Sequence, residues 1–212
     1  MPKGAERCHK IRFGWTASHP KNGPGMKADD RAEALAARLL DEANRVAAAA
    51  FLGTDEEARQ PGLYAWFVDV EGATQLSEGA AQKITAGLVY AGQAGAGTSS
   101  AALASRIRGN HIGGTITGST FRMTLASLLA KRLGLVDDGG RKLAGDGEAR
   151  LTEWIRCHLS LAVVAAPDRA AVARLEDDVL AVLDPPLNLA GMASSPIRRT
   201  LTAKRRRPLG AG

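Results

Sequence analysis

Leu63–Val70 (LYAWFVDV) decides the fold. It follows a Pro61-Gly62 break, is aromatic and β-branched, and reads as a buried strand. Ile84–Gln93 (ITAGLVYAGQ) reads as a second strand. Between them Glu71–Lys83 is polar and Gly-bearing, so the pair reads as an antiparallel hairpin with a long loop. Leu159–Ala165 (LSLAVVA), followed by Pro167, is a third strand.

Toward the N-terminus, Asp30 with Glu33 three residues on fits a capping-box-like helix start. Leu35, Leu39, Ala43, Val46, Ala47 and Ala50 then form an apolar stripe at helical spacing, with Gly53 as the stop. Residues 1–27 read as irregular, because Gly14, Pro20, Gly23, Pro24 and Gly25 leave little room for an element.

Toward the C-terminus, Gly95–Ser100 is a flexible turn whose serines can cap a short helix, Ala101–Arg108, ended by Gly109. Residues 112–120 are a Gly/Thr-rich loop or a poor edge strand. Phe121–Leu133 has helical periodicity and is closed by Gly134. Residues 137–147 are a loop, and 148–157 are either a short helix or an extended segment. Asp168 caps a helix to about Leu183, with Val172, Leu175, Val179, Leu180 and Leu183 as its stripe. Asp184-Pro185-Pro186 stops it.

Two strands adjacent in the chain favour antiparallel pairing. The expected fold is therefore α+β: a small antiparallel sheet of three strands or so, flanked by helices, with an added N-terminal helix. The expected organisation is a basic N-terminus plus helical extension (1–60), a main domain (61–192) and a basic C-terminal tail (193–212).

A chain of 212 residues can bury a real core without staples. Apolar residues at 45% and charged residues at 24% exclude wholesale disorder. No stretch approaches 18 uninterrupted apolar residues, and the N-terminus lacks the apolar run of a signal peptide. A cytoplasmic protein with no membrane partner is expected. Cys8 and Cys157 cannot build a disulfide framework or a zinc ribbon by spacing; Cys8-His9 and Cys157-His158 meeting around zinc is a minor alternative.

Charge is unevenly placed. The net charge is +6, yet residues 1–27 hold six basic residues and one acid, and residues 193–212 hold six basic residues and no acid. The central 165 residues therefore carry −5. Basic ends on a mildly acidic body suit a polyanion. Arg198, Arg199, Lys204, Arg205, Arg206 and Arg207 are the candidate contacts at the C-terminal end; a solvated tail is the plainer reading of the same run.

The chain has two tyrosines, Tyr64 and Tyr90, each in the middle of an expected strand. They sit in Gly62-Leu63-Tyr64 and Tyr90-Ala91-Gly92. Taken singly they are core tyrosines. Downstream come Arg106, Arg108 and His111, then Glu176 in Leu175-Glu176-Asp177-Asp178, then Asn188 after Pro185-Pro186-Leu187.

This ordered set resembles the GIY-YIG nuclease superfamily, with the tripeptides reading GLY and YAG. The resemblance spans roughly Pro61 to Asn188. It implies metal-dependent hydrolysis of phosphodiester bonds, in DNA rather than RNA. It also implies roles: Glu176 holds Mg²⁺ or another divalent ion such as Mn²⁺, and Arg106 pairs with nonbridging oxygens. Tyr64 accepts a proton from the attacking water or positions it. Tyr90 orients water or phosphate, Asn188 fixes local geometry, and His111 shares proton transfer or phosphate contact. A phenol acting as a base needs its pKa lowered from about 10.

At about 100° per residue, Leu103 and Ile107 define a buried helix face. Arg106 then falls at its border and Arg108 toward solvent, where it joins the nucleic-acid contacts. On the same wheel His111 points away from Arg106 unless Gly109 breaks the helix. Two alternatives stand beside the nuclease: a nucleic-acid-binding module of the same fold with an idle site, and a nucleotide-binding protein using the Gly-rich loop 92–99. The latter has Thr98 where a P-loop needs Lys.

Overall fold

The computed structural model describes residues 28–96, 101–139, 142–166, 169–207 and 209. The basic N-terminus, the Cys8-His9 pair, Thr98, the capping serines Ser99 and Ser100, and the Asp168 cap lie outside the described residues.

Four strands form one antiparallel sheet in the order β1-β4-β2-β3: β1 (Val46–Ala47), β2 (Gly62–Val68), β3 (Gly87–Ala94) and β4 (Leu159–Ala165). All seven residues of β2 are buried, as expected for a strand with neighbours on both sides and layers on both faces. Its side chains alternate. Leu63, Ala65 and Phe67 enter a core shared with α1 (Ala28–Leu40) and α5 (Arg169–Leu183). Tyr64, Trp66 and Val68 enter the larger core on the other face. That core is shared with α2 (Val70–Ala80), a π-helix (Ser105–Ile112), α3 (Thr120–Leu133), α4 (Gly147–His158) and α6 (Pro196–Arg205). The fold is the expected α+β arrangement, with one strand more than expected. Among the described residues no helix is long and apolar enough to cross a membrane.

Several expectations are corrected. The first helix ends at Leu40, not near Gly53. Asp30 lies inside it, so Asp30 and Glu33 form no capping box. Asp41 instead accepts from the Ala43 N–H to cap a 3₁₀ turn, and Val46–Ala47 pair with Leu161 and Ser160. Apolar residues at helical spacing thus serve a short edge strand, because pairing to β4 satisfies their backbone.

The connector 71–83 is largely the helix α2, not a loop. Asp69 caps it, accepting from the Gly72 N–H at 2.6 Å. Its glycines are contact points: a Cβ on Gly79 would lie 1.9 Å from the Leu128 carbonyl oxygen of α3. The segment 148–157 is helical, inside α4.

The C-terminal segment folds too. Pro196–Arg205 is a helix capped by Ser195, with Leu201 in the main core. Arg198 is buried. It donates to the carbonyls of Asn188 (3.0 Å), Ala193 (2.9 Å) and Pro185 (3.1 Å), and to Asp184 Oδ1 (2.6 Å). This guanidinium clamps the turn between α5 and α6, so Arg198 is not available to a phosphate.

Candidate active site

The two tripeptides lie side by side. Tyr64 pairs with Gly92 and Trp66 with Tyr90 across β2 and β3, so both tyrosines share one face of the sheet. The glycines follow from contact. A Cβ on Gly92 would stand 2.7 Å from the Tyr64 hydroxyl oxygen, and one on Gly62 would stand 2.3 Å from the Val164 carbonyl oxygen.

A cavity of about 160 Å³ is lined by Tyr64, Tyr90, Arg106, Glu176 and Asn188. Its wall draws Tyr64, Tyr90 and Gly92 from one side of the sheet, and Ala91 with Glu176 and Leu180 of α5 from the other. It therefore opens along the β3 edge. Gln93, Thr120, Thr124 and Arg205 complete the polar lining. Arg205, read from sequence as part of a tail, belongs to the cavity wall because α6 packs against α3. Tyr90 Oη lies 3.3 Å from Thr120 Oγ1.

Arg106 and His111 both sit on the π-helix. Gly109 does not end it. The helix runs through Gly109 to Ile112, with the Gly113 N–H donating to the Arg108 carbonyl five residues back. An i→i+5 turn brings the fifth residue round toward the first. A wheel drawn at 100° per residue therefore misplaced His111, which in fact faces inward. Arg106 is half-buried at the cavity, as its border position implied. Arg108 is exposed and donates to the Leu52 carbonyl at 2.7 Å.

His111 is fully buried, with Nε2 2.7 Å from Tyr64 Oη and Nδ1 2.7 Å from Ser119 Oγ. Burial, reinforced by the cations Arg106 and Arg122, lowers its pKa to about 3, so the ring is neutral. Burial likewise pushes Tyr64 above the ordinary tyrosine range. Tyr90 and Glu176 add to the rise, while the nearby Arg106 cation pulls the other way. The expectation of a lowered phenol pKa is thus corrected: desolvation outweighs the guanidinium, and Tyr64 is a neutral hydroxyl at pH 7. Glu176 is raised by burial and by Asp177, against the pull of Arg106.

Asn188 supports the site from behind. Its Oδ1 accepts from the Ala91 N–H (3.0 Å) and its Nδ2 donates to the Ala91 carbonyl (2.8 Å). The Leu187 N–H bonds the Val89 carbonyl at 2.9 Å. Together they pair the free edge of β3 as a further strand would.

Sequence reasoning passed over Arg122, whose side chain is fully buried beside this site. It donates to the carbonyls of His111 (3.2 Å) and Ile112 (2.6 Å) and to Glu148 Oε2 (2.7 Å). It ties the end of the π-helix to α4. Ser119, the N-cap of α3, was passed over as well, inside a segment read as a loop or poor edge strand.

Glu176 presents a half-buried carboxylate to a cavity that also holds the Tyr64 and Tyr90 side chains. A hard oxygen donor of this kind fits Mg²⁺, which takes one or two carboxylates and fills its other positions with water and substrate oxygens. Among the described residues no group of three or more His, Cys, Asp or Glu side chains is placed to hold a metal.

No curated protein and no solved structure matches the chain with significance. The family profile of the GIY-YIG catalytic domain matches residues 62–207, which reach from the first glycine of β2 to just past the end of α6. With both tyrosines on one sheet face and Arg106 and Glu176 lining the same cavity, the chain belongs to the GIY-YIG catalytic-domain family, a nuclease-type family of nucleic-acid-cleaving domains.

Proposed function

We propose that this protein is a metal-dependent endonuclease that hydrolyses phosphodiester bonds in DNA, acting in the cytoplasm. The observation that carries the reading is one cavity that gathers side chains from β2, β3, the π-helix and α5: Tyr64, Tyr90, Arg106 and Glu176. Cleavage needs a positioned water, charge relief on the phosphate and a stabilised leaving oxygen. A divalent ion held by Glu176 supplies Lewis-acid polarisation of the phosphoryl group.

The chain's own residues do the rest. Arg106 is half-buried, where its charge acts at low dielectric on nonbridging oxygens as charge builds there. Tyr64 and Tyr90 direct their hydroxyls at the reacting group. Asn188 acts through the β3 edge and keeps Tyr90 and Gly92 in register. Arg205 offers a second cation on the cavity wall, and Arg199, Lys204, Arg206 and Arg207 extend positive charge beyond it along and after α6.

The test is incubation of the purified protein with plasmid, single-stranded DNA and RNA, with Mg²⁺ or with chelator. Mg²⁺-dependent cutting of DNA is expected. ATP hydrolysis without cleavage, or binding without cleavage, would overturn the reading.

A further inference from the structure

The hydrogen bonds around His111 determine which ring nitrogen carries its proton. The imidazole is enclosed by Tyr64, Trp66, Tyr90 and Phe121, with ring centroids 5.1–6.3 Å away. A neutral imidazole has one N–H donor and one acceptor nitrogen. Ser119 Oγ, 2.7 Å from Nδ1, already accepts the Arg122 backbone N–H at 3.1 Å as the cap of α3. Ser119 is 1% exposed, and among the described residues its hydroxyl has no other partner.

If Nδ1 carried the proton, Ser119 would accept twice and its own O–H would be buried without an acceptor, an arrangement folded proteins avoid. If Ser119 donates to Nδ1, all the groups are satisfied. Nε2–H then donates to Tyr64 Oη at 2.7 Å, and the Tyr64 O–H turns into the cavity that its side chain lines.

We propose that Ser119 is a positioning residue that holds His111 as the Nε2–H tautomer, so that His111 donates to Tyr64 and Tyr64 donates its own proton into the cavity, toward a nonbridging oxygen of the scissile phosphate. The tautomer rests on the geometry alone; the phosphate as acceptor rests on the nuclease reading. In this arrangement His111 takes no proton from Tyr64, because Nε2 is already occupied. Tyr64 serves the reaction as a hydrogen-bond donor to building negative charge.

The test is long-range ¹H–¹⁵N correlation on histidine-labelled protein. His9, His19 and His158 are replaced by Gln one at a time, and the signal that survives all three replacements is His111. A protonated Nε2 with a bare Nδ1 is expected; a protonated Nδ1 overturns the proposal. Two variants then separate positioning from capping. Ser119→Gly removes the donor but, as an acceptable N-cap, costs little helix stability. It is expected to lose the tautomer preference and about 10²-fold in kcat, with KM held, the scale of one lost donor to a developing oxyanion. Ser119→Asn keeps both a cap acceptor and a donor and is expected to retain the wild-type signal. A wild-type spectrum and kcat in Ser119→Gly overturn the proposal. Protonated Nδ1 in a protein that still cuts DNA removes this inference alone, whereas protonated Nε2 in a protein that cuts nothing removes the nuclease reading and keeps the tautomer.

Discussion

Gly92 stands directly across the β2–β3 ladder from Tyr64, and the bare Cα leaves the space that the Tyr64 hydroxyl occupies. The last residue of the second tripeptide is thus a steric condition on the last residue of the first. Gly92→Ala places a methyl 2.7 Å from that oxygen, closer than any real Cβ contact, so the ring must shift. Overpacking of this kind costs about 1–3 kcal/mol. The hydroxyl also leaves His111, so turnover is expected to fall by at least about tenfold, since one tenfold step corresponds to only 1.36 kcal/mol of barrier. Thermal melting and single-turnover cleavage check it; wild-type cleavage in Gly92→Ala would show that the hydroxyl position does not matter.

Tyr64→Phe keeps the packing of β2 against α3 and removes only the oxygen. In the structure that oxygen satisfies His111 Nε2. The variant therefore loses about 1–3 kcal/mol of stability from an unpaired buried nitrogen, while cleavage falls by roughly 10²–10³ from a lost donor. Denaturant unfolding and cleavage rates separate the two losses. A rate that falls only as far as the folded fraction falls makes Tyr64 a core residue and nothing more.

Glu176 carries the clearest pH signature. Its carboxyl is raised by burial and by Asp177, so its proton leaves at higher pH than an ordinary glutamate's. Mg²⁺ must displace that proton to bind, so cleavage at limiting Mg²⁺ should rise with pH as the carboxylate forms. The stability sign is opposite: a raised folded pKa means the folded state holds the proton more tightly, and that stabilisation is lost as pH rises through it. Glu176→Gln is thus expected to abolish Mg²⁺-dependent cutting, to leave DNA binding in place and to raise Tm at neutral pH. Undiminished cleavage by the variant would falsify the metal assignment.

Much of this was legible from the chain. LSLAVVA is β4 to the residue, and Phe121–Leu133 closes at Gly134 in the left-handed region (φ +58°) as the periodicity implied. Tyr64, the Tyr90-Ala91-Gly92 tripeptide, Arg106 and Glu176 line one cavity. The misreadings share a cause, which is that tertiary contact overrides local pattern. Gly72 and Gly79 look like loop residues but are where α2 touches its neighbours. Val46 and Ala47 fit a helical stripe but pair with β4. His111 seemed to face away because a wheel assumes 3.6 residues per turn, and a π-helix is not visible in composition. Arg122 gives no signal at all: a buried arginine is indistinguishable in sequence from a solvated one until its carbonyl and Glu148 partners are placed.

The basic C-terminal residues divide into two classes with different expected effects. Arg198 makes four hydrogen bonds to the α5–α6 turn. A hydrogen bond to a charged group is worth about 1.5–3 kcal/mol net, and water can rehydrate the largely exposed Asp184 carboxylate, so Arg198→Ala is expected to cost about 3 kcal/mol of stability. Its effect on the salt dependence of binding should be small. Replacing Arg205, Arg206 and Arg207 together by Gln should do the reverse. Each duplex phosphate contact contributes about 0.9 to the slope of log affinity against log salt, so three lost contacts flatten it by about 2.7. Tm and a salt titration of DNA binding check both; an unchanged slope in the triple variant would leave these residues solvated.

Arg106 and Arg108 lie two residues apart on the π-helix and separate most sharply. Arg106 lines the cavity, sits beside Tyr64 and is near enough to help lower the His111 pKa. Arg108 is exposed and its guanidinium is committed to the Leu52 carbonyl. A guanidinium at low dielectric stabilises charge that builds only in the transition state, and removing such a donor costs about 10²–10³ in kcat. An exposed guanidinium bonded to one carbonyl supplies a solvent-screened charge instead. Arg106→Ala is therefore expected to lose about 10²-fold or more in kcat under saturating DNA. Arg108→Ala should change kcat little and weaken binding mainly at low salt, where screening is weakest. Arg106→Lys tests the chemistry further: it keeps the charge but loses the planar fork, so it should recover only part of the rate. Full recovery by Lys would mean that charge alone suffices, and a larger kcat loss in Arg108→Ala than in Arg106→Ala would reverse the assignment of the two arginines.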